Sequence, residues 1–373
     1  AEFVEGTFLH APSLAGMPPK GEIILGPSEF GLAAIAPAGF LLPPIMPAES
    51  APDRAAWMSG HWGLMVHWIP PGPARENGPY IEDFDRAVSA FKVERFLQQF
   101  ADTGADWLIF TIGQNTGFYA SPNSVLDRLA GPGHCSQRDL VLEIAQGLHR
   151  LGKRFIPYLP AEIKAPTQLH VAFAWNPADQ NEFERHYTAF IREYSLRLGR
   201  LHHGWWYDGC YNWKAFRQAL RHWDWWGDAS RAGNPDAALA FNDGSYCCGL
   251  EKPVTPLQDY LSGEIWQLHG DRIVCGNPDE GPVTYVLPTE RFVTGTRCQW
   301  HGLLPIDCPW GYNHPPTGPM PGPKYSDADL FSFVRQCLAV GGGVTLNVGI
   351  YQEGHLPEAT LRQLDRMRQS LRL

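Results

Sequence analysis

The chain of 373 residues is long enough for one large α/β barrel or for two ordinary domains, and its formal net charge of −9 argues against a nucleic-acid partner. It contains no apolar stretch of about 18 residues or more, so we expect no membrane span. Its eight cysteines form no C-x-x-C pair and show no histidine spacing typical of zinc, so we expect neither a bound metal nor another cofactor.

The amino-terminal part, residues 1–55, is rich in proline and glycine and carries only short apolar patches. This composition predicts an irregular arm that wraps the body of the protein or a partner subunit in a homo-oligomer. The first residue is Ala1 rather than Met, which leaves the compartment open and slightly favours a secreted or periplasmic protein over a cytoplasmic one. Residues 56–373 are predicted to form the catalytic domain.

From residue 57 onward, strand and helix patterns alternate with short connections, which is typical of a parallel α/β fold. The predicted strands are 63–68, 106–112, 153–159, 203–208, 238–242, 265–268, 297–300 and 344–348. The predicted helices are 93–100, 140–151, 183–198, 212–216, 327–340 and 358–371. About eight strands, with no G-x-G-x-x-G after the first one, fit a (β/α)8 TIM-type barrel better than an open sheet.

One predicted strand runs through Trp205 and Trp206 into Asp208, and Gly209 follows at once. The C-terminal ends of the strands carry the chemistry of a parallel barrel, so Asp208 is expected at the mouth of the site. The aromatic neighbours supply apolar walls that suit the face of a sugar ring. The alternative is that Asp208 only caps the helix predicted at 212–216.

Seven sequence motifs resemble, in order, those of the α-L-fucosidase family of retaining glycoside hydrolases, over most of residues 57–370. The resemblance implies that Asp208 is the nucleophile of a barrel enzyme acting on a glycoside. The matching segments are Trp62-Gly63-Leu64-Met65-Val66-His67-Trp68, residues 91–111, Arg138-Asp139-Leu140-Val141, Trp206-Tyr207-Asp208-Gly209, Asn242-Asp243, Trp310-Gly311-Tyr312-Asn313 and residues 342–358.

The departures from the family pattern are informative. Gln114 and Asn115 stand where the family has two histidines that bind fucose hydroxyls, and Trp300-His301-Gly302 replaces W-E-T. The T-x-E-Y motif, which supplies the acid/base in some members, has no clean counterpart in residues 255–260, and the β-sandwich that many members carry is missing. We therefore expect a divergent relative that acts on a sugar related to, but not identical with, an α-L-fucoside.

A glycosidase needs a second carboxyl close to Asp208, one that donates a proton to the leaving oxygen. Three acids are candidates by position, in the order Asp259, Glu264 and Glu251. Asp259 comes first because Asp259-Tyr260 aligns with the family's E-Y after a short slip. Glu264 comes second and directly follows Gly263. Each of the three acids could instead be a solvated loop carboxylate.

The predicted substrate-binding residues are polar or aromatic side chains near strand ends. Histidine, Gln and Asn side chains suit neutral hydroxyls, and tryptophan rings suit stacking, with core packing expected for at least two of the tryptophans. The residues are His67, Trp68, Gln114, Asn115, Trp206, Asn242, Trp300, His301 and Trp310.

These observations predict an exo-acting, retaining glycoside hydrolase with an oligosaccharide or glycoside as substrate. Two other interpretations stay open. The first is a carbohydrate-binding pseudo-enzyme that keeps the barrel and has lost catalysis. The second is a barrel hydrolase or lyase that uses His301 or His67 as its base on a non-glycosidic substrate.

Overall fold

A parallel sheet of seven strands organises the structure. Side by side, the strands are β5 (Ala238–Phe241), β4 (Gly204–Asp208), β3 (Arg154–Pro160), β2 (Trp107–Thr111), β1 (Trp62–Val66), β10 (Gly343–Val348) and β9 (His301–Pro305). The computed structural model describes residues 52–70, 72–75, 78–161, 167–210, 221–244, 250–270, 272–275, 283–311 and 318–371. The sheet and its flanking helices confirm a mixed α/β fold that is consistent with a TIM-like barrel. The predicted arm lies outside the described residues except for its last four, and so does the helix predicted at 212–216.

The strands of the parallel sheet follow each other along the chain with helices between most of them. They are β1 Trp62–Val66, β2 Trp107–Thr111, β3 Arg154–Pro160, β4 Gly204–Asp208, β5 Ala238–Phe241, β9 His301–Pro305 and β10 Gly343–Val348. The helices are α1 Phe84–Ala90, α2 Val93–Thr103, α3 Ser124–Ala130, α4 Leu140–Arg150, α5 Thr167–Ala172, α6 Asn181–Leu198, α7 Trp223–Ser230, α8 Asp327–Ala339 and α9 Glu358–Leu371.

Local signals in the sequence explain where several helices begin and end. The side chains of Asp139 and Ser326 accept hydrogen bonds from backbone N–H groups in the first turns of α4 and α8, which stabilises those ends. Helix α2 ends at Gly104, whose φ of 81° lies in the left-handed region that glycine adopts without strain. The predicted helices at 93–100, 140–151, 183–198, 327–340 and 358–371 are confirmed with small changes of boundary.

Alternation along the strands divides the core into two clusters. In β4, Trp205 and Tyr207 pack outward into the larger cluster under the helices, whereas Trp206 belongs to a smaller inner cluster. Ala240 stands opposite Trp206 on β5, and its small side chain leaves room for the indole ring. Strand residues that face inward near the carboxyl ends of the strands therefore meet above this inner cluster.

The gap between the edge strands β5 and β9 is occupied by residues 259–265. Leu239 of β5 accepts hydrogen bonds from the N–H groups of Asp259 and Tyr260, at 2.9 and 3.4 Å. On the other side, Ile265 donates to Leu303 of β9 at 2.8 Å, and Glu264 forms a parallel bridge with the same residue. The segment thus contacts both edges of the seven-stranded sheet.

Two strand predictions are wrong. Residues 265–268 were expected in the barrel, but β6 Gln267–His269 pairs antiparallel with β7 Arg272–Cys275, which in turn pairs with β8 Val283–Val286. The predicted strand 297–300 lies just before β9 rather than in it. A short apolar run carries no information about whether its partner is parallel or antiparallel, so the antiparallel extension looked like a barrel strand.

The amino-terminal end of the sheet is covered by residues 53–58, which include a short 3-10 helix at Ala56–Met58. Met58 joins the inner cluster, and the ring of Trp57 meets that of Trp107 edge-on at 5.6 Å. Arg54 reaches the carboxylate of Asp259 at 3.8 Å. This end of the barrel is therefore filled by protein.

Candidate active site

Two carboxylates meet at the carboxyl ends of the strands, and one amide joins them. Asp208 is the last residue of β4, Asn242 directly follows β5, and Glu264 lies in the segment between β5 and β9. The Nδ2 atom of Asn242 donates to Oδ1 of Asp208 at 2.9 Å and to Oε2 of Glu264 at 2.8 Å. The structure thus brings together three residues that the sequence singled out separately.

The orientation of the Asn242 amide is fixed by the backbone. Its Oδ1 atom accepts the N–H of Gly244 at 3.1 Å, so Nδ2 must face the carboxylates and can give one hydrogen to each. Because one nitrogen atom makes both contacts, Oδ1 of Asp208 and Oε2 of Glu264 lie close together. The shared amide therefore holds the two carboxyl groups side by side at the site.

The carboxylate of Asp208 is also held from β3. The hydroxyl of Tyr158 donates to Oδ2 of Asp208 at 2.6 Å, a short charge-assisted hydrogen bond. Gln114 in turn donates from Nε2 to the Tyr158 hydroxyl, and its Oε1 accepts the N–H of Asn115 at 3.0 Å. The Gln114 amide thus supports Tyr158 at one end and its own loop at the other, while Asn115 lies half-buried beside it.

A second hydrogen-bonded group stands on β1 and β10. Asn347 donates from Nδ2 to the carbonyl of Trp310 at 3.0 Å, so its Oδ1 faces Nδ1 of His67 at 2.9 Å and requires a hydrogen there. Burial lowers the pKa of His67, against the raising effects of Asn347 and of the Asp208 charge. The histidine is therefore neutral near pH 7 and carries its lone pair on Nε2.

Aromatic rings form the floor and one wall of the site. The ring of Trp206 is buried and stacks on that of Tyr158, with centroids 5.2 Å apart and planes at 14°. Its Nε1 donates to the carbonyl of Ser262 at 3.2 Å, which anchors the segment that carries Glu264. The half-buried ring of Trp310 meets His67 edge-on at 6.2 Å. Trp206 supports the site from below, and Trp310 offers an accessible ring.

Asp259, the acid ranked first from the sequence, does not join Asp208. Its carboxylate accepts from Arg231 at 2.7 Å and from the N–H of Leu239 at 2.9 Å. Leu239 pairs with Trp205, three residues before Asp208, so Asp259 lies about 10 Å farther toward the amino-terminal end. Burial raises the pKa of Asp259, against the lowering effect of Arg231. Glu251, the third candidate, is exposed on a turn.

Three other predicted contacts also lie away from the carboxylate pair. His301 begins β9 at the amino-terminal end, where its ring nitrogens bond the Leu261 carbonyl at 2.9 Å and the Thr345 hydroxyl at 2.7 Å. Burial lowers the pKa of His301 to about 4. The rings of Trp68 and Trp300 are buried in the outer core, as the sequence led us to expect for some of the tryptophans.

Sequence reasoning missed Tyr158 and Asn347 as site residues. Tyr158 was recognised only as part of the third strand, and Asn347 only as part of the last strand and of a matching motif. Each is a polar side chain near the carboxyl end of a barrel strand, on the inward-facing side. That position was the available signal, because it is the same one that identified Asp208.

Two further features of the described part of the chain concern metal ions and membranes. No group of three or more His, Cys, Asp or Glu side chains there could hold a metal ion. No helix among these residues is long and apolar enough to cross a bilayer.

No protein-family model matches the chain, and no curated protein matches it in sequence. Solved structures do match. A variant of the endo-fucoidan hydrolase MfFcnA4 from glycoside hydrolase family 107 has a TM-score of 0.63 and 16% identity, over 85% of this chain and 53% of that one. The endo-fucoidan hydrolase P5AFcnA, from the same family, has a TM-score of 0.61 and 15% identity, over 86% and 94%.

The alpha-L-fucosidase AlfC from Lactobacillus casei, in complex with alpha-L-fucose product, matches with a TM-score of 0.54 and 15% identity, over 86% of this chain and 98% of that one. The chain spans about half the length of MfFcnA4. The resemblance to α-L-fucosidases is thus confirmed in three dimensions: this chain has the fold of α-L-fucosidases and of family 107 endo-fucoidan hydrolases.

Proposed function

We propose that the chain is a glycoside hydrolase that acts by retaining double displacement, with Asp208 as the nucleophile and Glu264 as the acid/base. The observation that carries this proposal is the Asn242 amide shared by the two carboxylates. Retaining enzymes hold their carboxyls about 5–5.5 Å apart, a separation that the shared amide permits. The order of the acids expected from the sequence is reversed, because Asp259 is engaged elsewhere.

In the first step, Asp208 attacks the anomeric carbon while Glu264 gives a proton to the departing oxygen. A covalent glycosyl ester forms on Asp208, and the aglycone leaves as an alcohol. In the second step, Glu264 takes a proton from water, and the hydroxide oxygen displaces Asp208 from the sugar. Tyr158 and Asn242 hold the Asp208 carboxylate in place, so little reorganisation accompanies the attack.

We propose a glycoside related to α-L-fucosides as the substrate. The fold neighbours named for fucosidase and fucoidan hydrolase activities support this class. The neutral His67 can accept a hydrogen bond at Nε2 from a sugar hydroxyl, and the Trp310 ring can stack on an apolar sugar face. Exo action stays a prediction from the sequence. Product size from an oligosaccharide tests it, since an exo enzyme releases single sugars.

We further propose that residues 259–265 serve as the eighth strand position of a (β/α)8 barrel. Their backbone bonds to Leu239 and Leu303 support this arrangement. The other two interpretations find less support. A pseudo-enzyme has no need of two carboxylates joined by one amide. Of the two histidines considered as a base, His301 lies at the amino-terminal end of the sheet, away from the carboxylate pair, whereas His67 lies at the site, where we propose that it binds a sugar hydroxyl.

The proposal is tested with aryl α-L-fucosides and a wider aryl glycoside panel. Asp208→Ala should lower kcat on the order of 10⁴-fold or more while the melting temperature stays nearly unchanged. Glu264→Gln should lose less activity on aglycones that leave readily than on poor leaving groups, because only the latter need a proton. Glu251→Gln is the matched control, and we expect parent activity from this exposed acid.

Azide rescue distinguishes the proposed nucleophile, Asp208, from the proposed acid/base, Glu264. With Asp208→Ala, azide should displace the aglycone directly and give a glycosyl azide of inverted configuration. With Glu264→Ala, azide should intercept the glycosyl ester on Asp208 and give the retained configuration. Proton NMR of the anomeric centre reads both outcomes. Full activity of the Asp208 variant, or an inverted sugar from the parent enzyme, would refute the mechanism.

A further inference from the structure

Trp266 is a large exposed aromatic side chain two residues beyond the proposed acid. Its side chain is 39% exposed, and it directly precedes β6 of the antiparallel extension. The backbone fixes it there, since the N–H of Trp266 donates to the carbonyl of Val274 at 2.9 Å. One residue earlier, Ile265 donates to Leu303 of the barrel. Trp266 thus stands where the chain leaves the barrel at the mouth of the site.

The backbone sets Trp266 close to Glu264 in the same segment. Gln267 pairs with Val274, and the N–H of Trp266 donates to the carbonyl of the same residue, so two residues stand against one as in a β-bulge. Burial raises the pKa of Cys275 to about 12, and the nearby Glu264 carboxylate adds to the effect. The Glu264 carboxylate thus lies near the extension that Trp266 enters, and Trp266 follows it by two residues.

We propose that Trp266 is the binding platform for the leaving-group sugar. This inference rests on the proposed function, because it takes Glu264 as the acid. The acid must contact the glycosidic oxygen, so an exposed side chain just beyond it in the chain is placed to meet the aglycone rather than the sugar that Asp208 attacks. An exposed indole ring suits the apolar face of a pyranose. The ligand class is a neutral or substituted sugar in glycosidic linkage.

A second exposed aromatic on the same rim provides a control. Phe118 is 38% exposed and stacks on Phe84, with ring centroids 5.1 Å apart. It lies next to Gln114 across the turn closed by the bridge between Gly113 and Tyr119. Phe118 therefore belongs to the side of the mouth that carries Gln114, whereas Trp266 belongs to the side of the acid. The two side chains are matched in exposure and differ in position.

The experiment compares two substrates that share one sugar and differ in the leaving group. The first is a fucosyl fluoride, whose leaving group is too small to reach Trp266. The second is a disaccharide with the same non-reducing sugar. Trp266→Ala should lower the ratio of kcat/KM for disaccharide over fluoride roughly 10-fold or more, since binding energy from the aglycone is lost. Trp266→Phe should restore most of the ratio, and Phe118→Ala should leave it unchanged.

An unchanged ratio in Trp266→Ala overturns the inference, and so does an equal fall in Phe118→Ala. Failure of the proposed function is read separately. If the parent enzyme cleaves neither substrate, titration calorimetry compares disaccharide binding by Asp208→Ala and by Asp208→Ala with Trp266→Ala. Weaker binding by the second supports the platform. Equal binding, or none by either, overturns it.

Discussion

The two ends of the barrel interior carry the same kinds of residue for different purposes. At the carboxyl end of the strands, Asp208 and Glu264 are half-buried and share one amide. At the amino-terminal end, Asp259 is paired with Arg231, and His301 is buried with both ring nitrogens bonded. A carboxylate that lies at the mouth keeps access to a ligand, whereas one that is closed in by cations stabilises the fold.

The difference shows that residue type and neighbouring motif do not identify an acid. Asp259 matches the family pattern better than Glu264, yet the two lie at opposite ends of one segment of seven residues. In a parallel barrel, position along the strand decides between chemistry and stability. Substitutions of Asp259, His301 and Asn242 test this difference between the two ends, with effects expected to decrease in that order.

Removing Asp259 from its ion pair with Arg231 should lower the free energy of unfolding and leave kcat unchanged. Asp259→Ala leaves the partly buried Arg231 without its carboxylate, which should lower the free energy of unfolding by about 3–5 kcal/mol. Denaturant unfolding measures the loss, and kcat per folded molecule should stay near the parent value. Asp259→Leu combined with Arg231→Met should recover part of the stability. A loss of kcat in an Asp259→Ala variant that keeps its stability would contradict a purely structural role for Asp259.

Low pH should destabilise the protein, because protonation of the buried His301 is unfavourable in the folded state. Its pKa in the folded protein is about 4, below the usual value of about 6.5, so the unfolded chain binds the proton first. Stability is therefore lost as pH falls from about 6.5 toward about 4, by up to roughly 3 kcal/mol for this group. In His301→Gln, the fall in unfolding free energy between pH 7 and pH 4.5 should be smaller. The exposed His269→Gln should keep the parent pH dependence.

Removing the shared amide should slow the proposed reaction. Asn242→Leu takes an N–H donor from each carboxylate, and a hydrogen bond to a charged group contributes about 1.5–3 kcal/mol. We expect kcat/KM to fall roughly 10- to 100-fold, because both carboxylates lose the donor that positions them. An unchanged kcat/KM with a lower melting temperature would show that Asn242 only supports the fold.

Much of the fold could be predicted from the sequence because its strands and helices carry strong local patterns. Strands β1 to β5 and β10 were recognised from apolar runs bounded by turns. The segment 259–265 was not, because its Ser262-Gly263 step interrupts the apolar run, and its partners are far away in the chain. The more apolar stretch that follows was taken for the strand instead.

Most residues of the candidate site could be predicted from the sequence, but the hydrogen bonds between them could not. Asp208, Glu264, Asn242, His67 and Trp310 were all singled out, but nothing in the sequence states that one amide joins two of them. Tyr158 was missed because a tyrosine in an apolar strand resembles core filler until its hydroxyl is seen on Asp208. Partner choice among polar side chains depends on distances that only the folded chain defines.

The proposed acid, Glu264, lies in the segment that joins the two edges of the seven-stranded sheet. The residue sits in a segment held to β5 and β9 by a few backbone bonds, between sheet edges that are otherwise far apart in the chain order. Such a segment can detach locally at a lower cost than global unfolding. If this segment is released by mild denaturant or heat, the activity proposed for the chain should be lost while the far-ultraviolet circular dichroism of the helices persists. A ligand that contacts both Asp208 and Glu264 should stabilise the segment against this release.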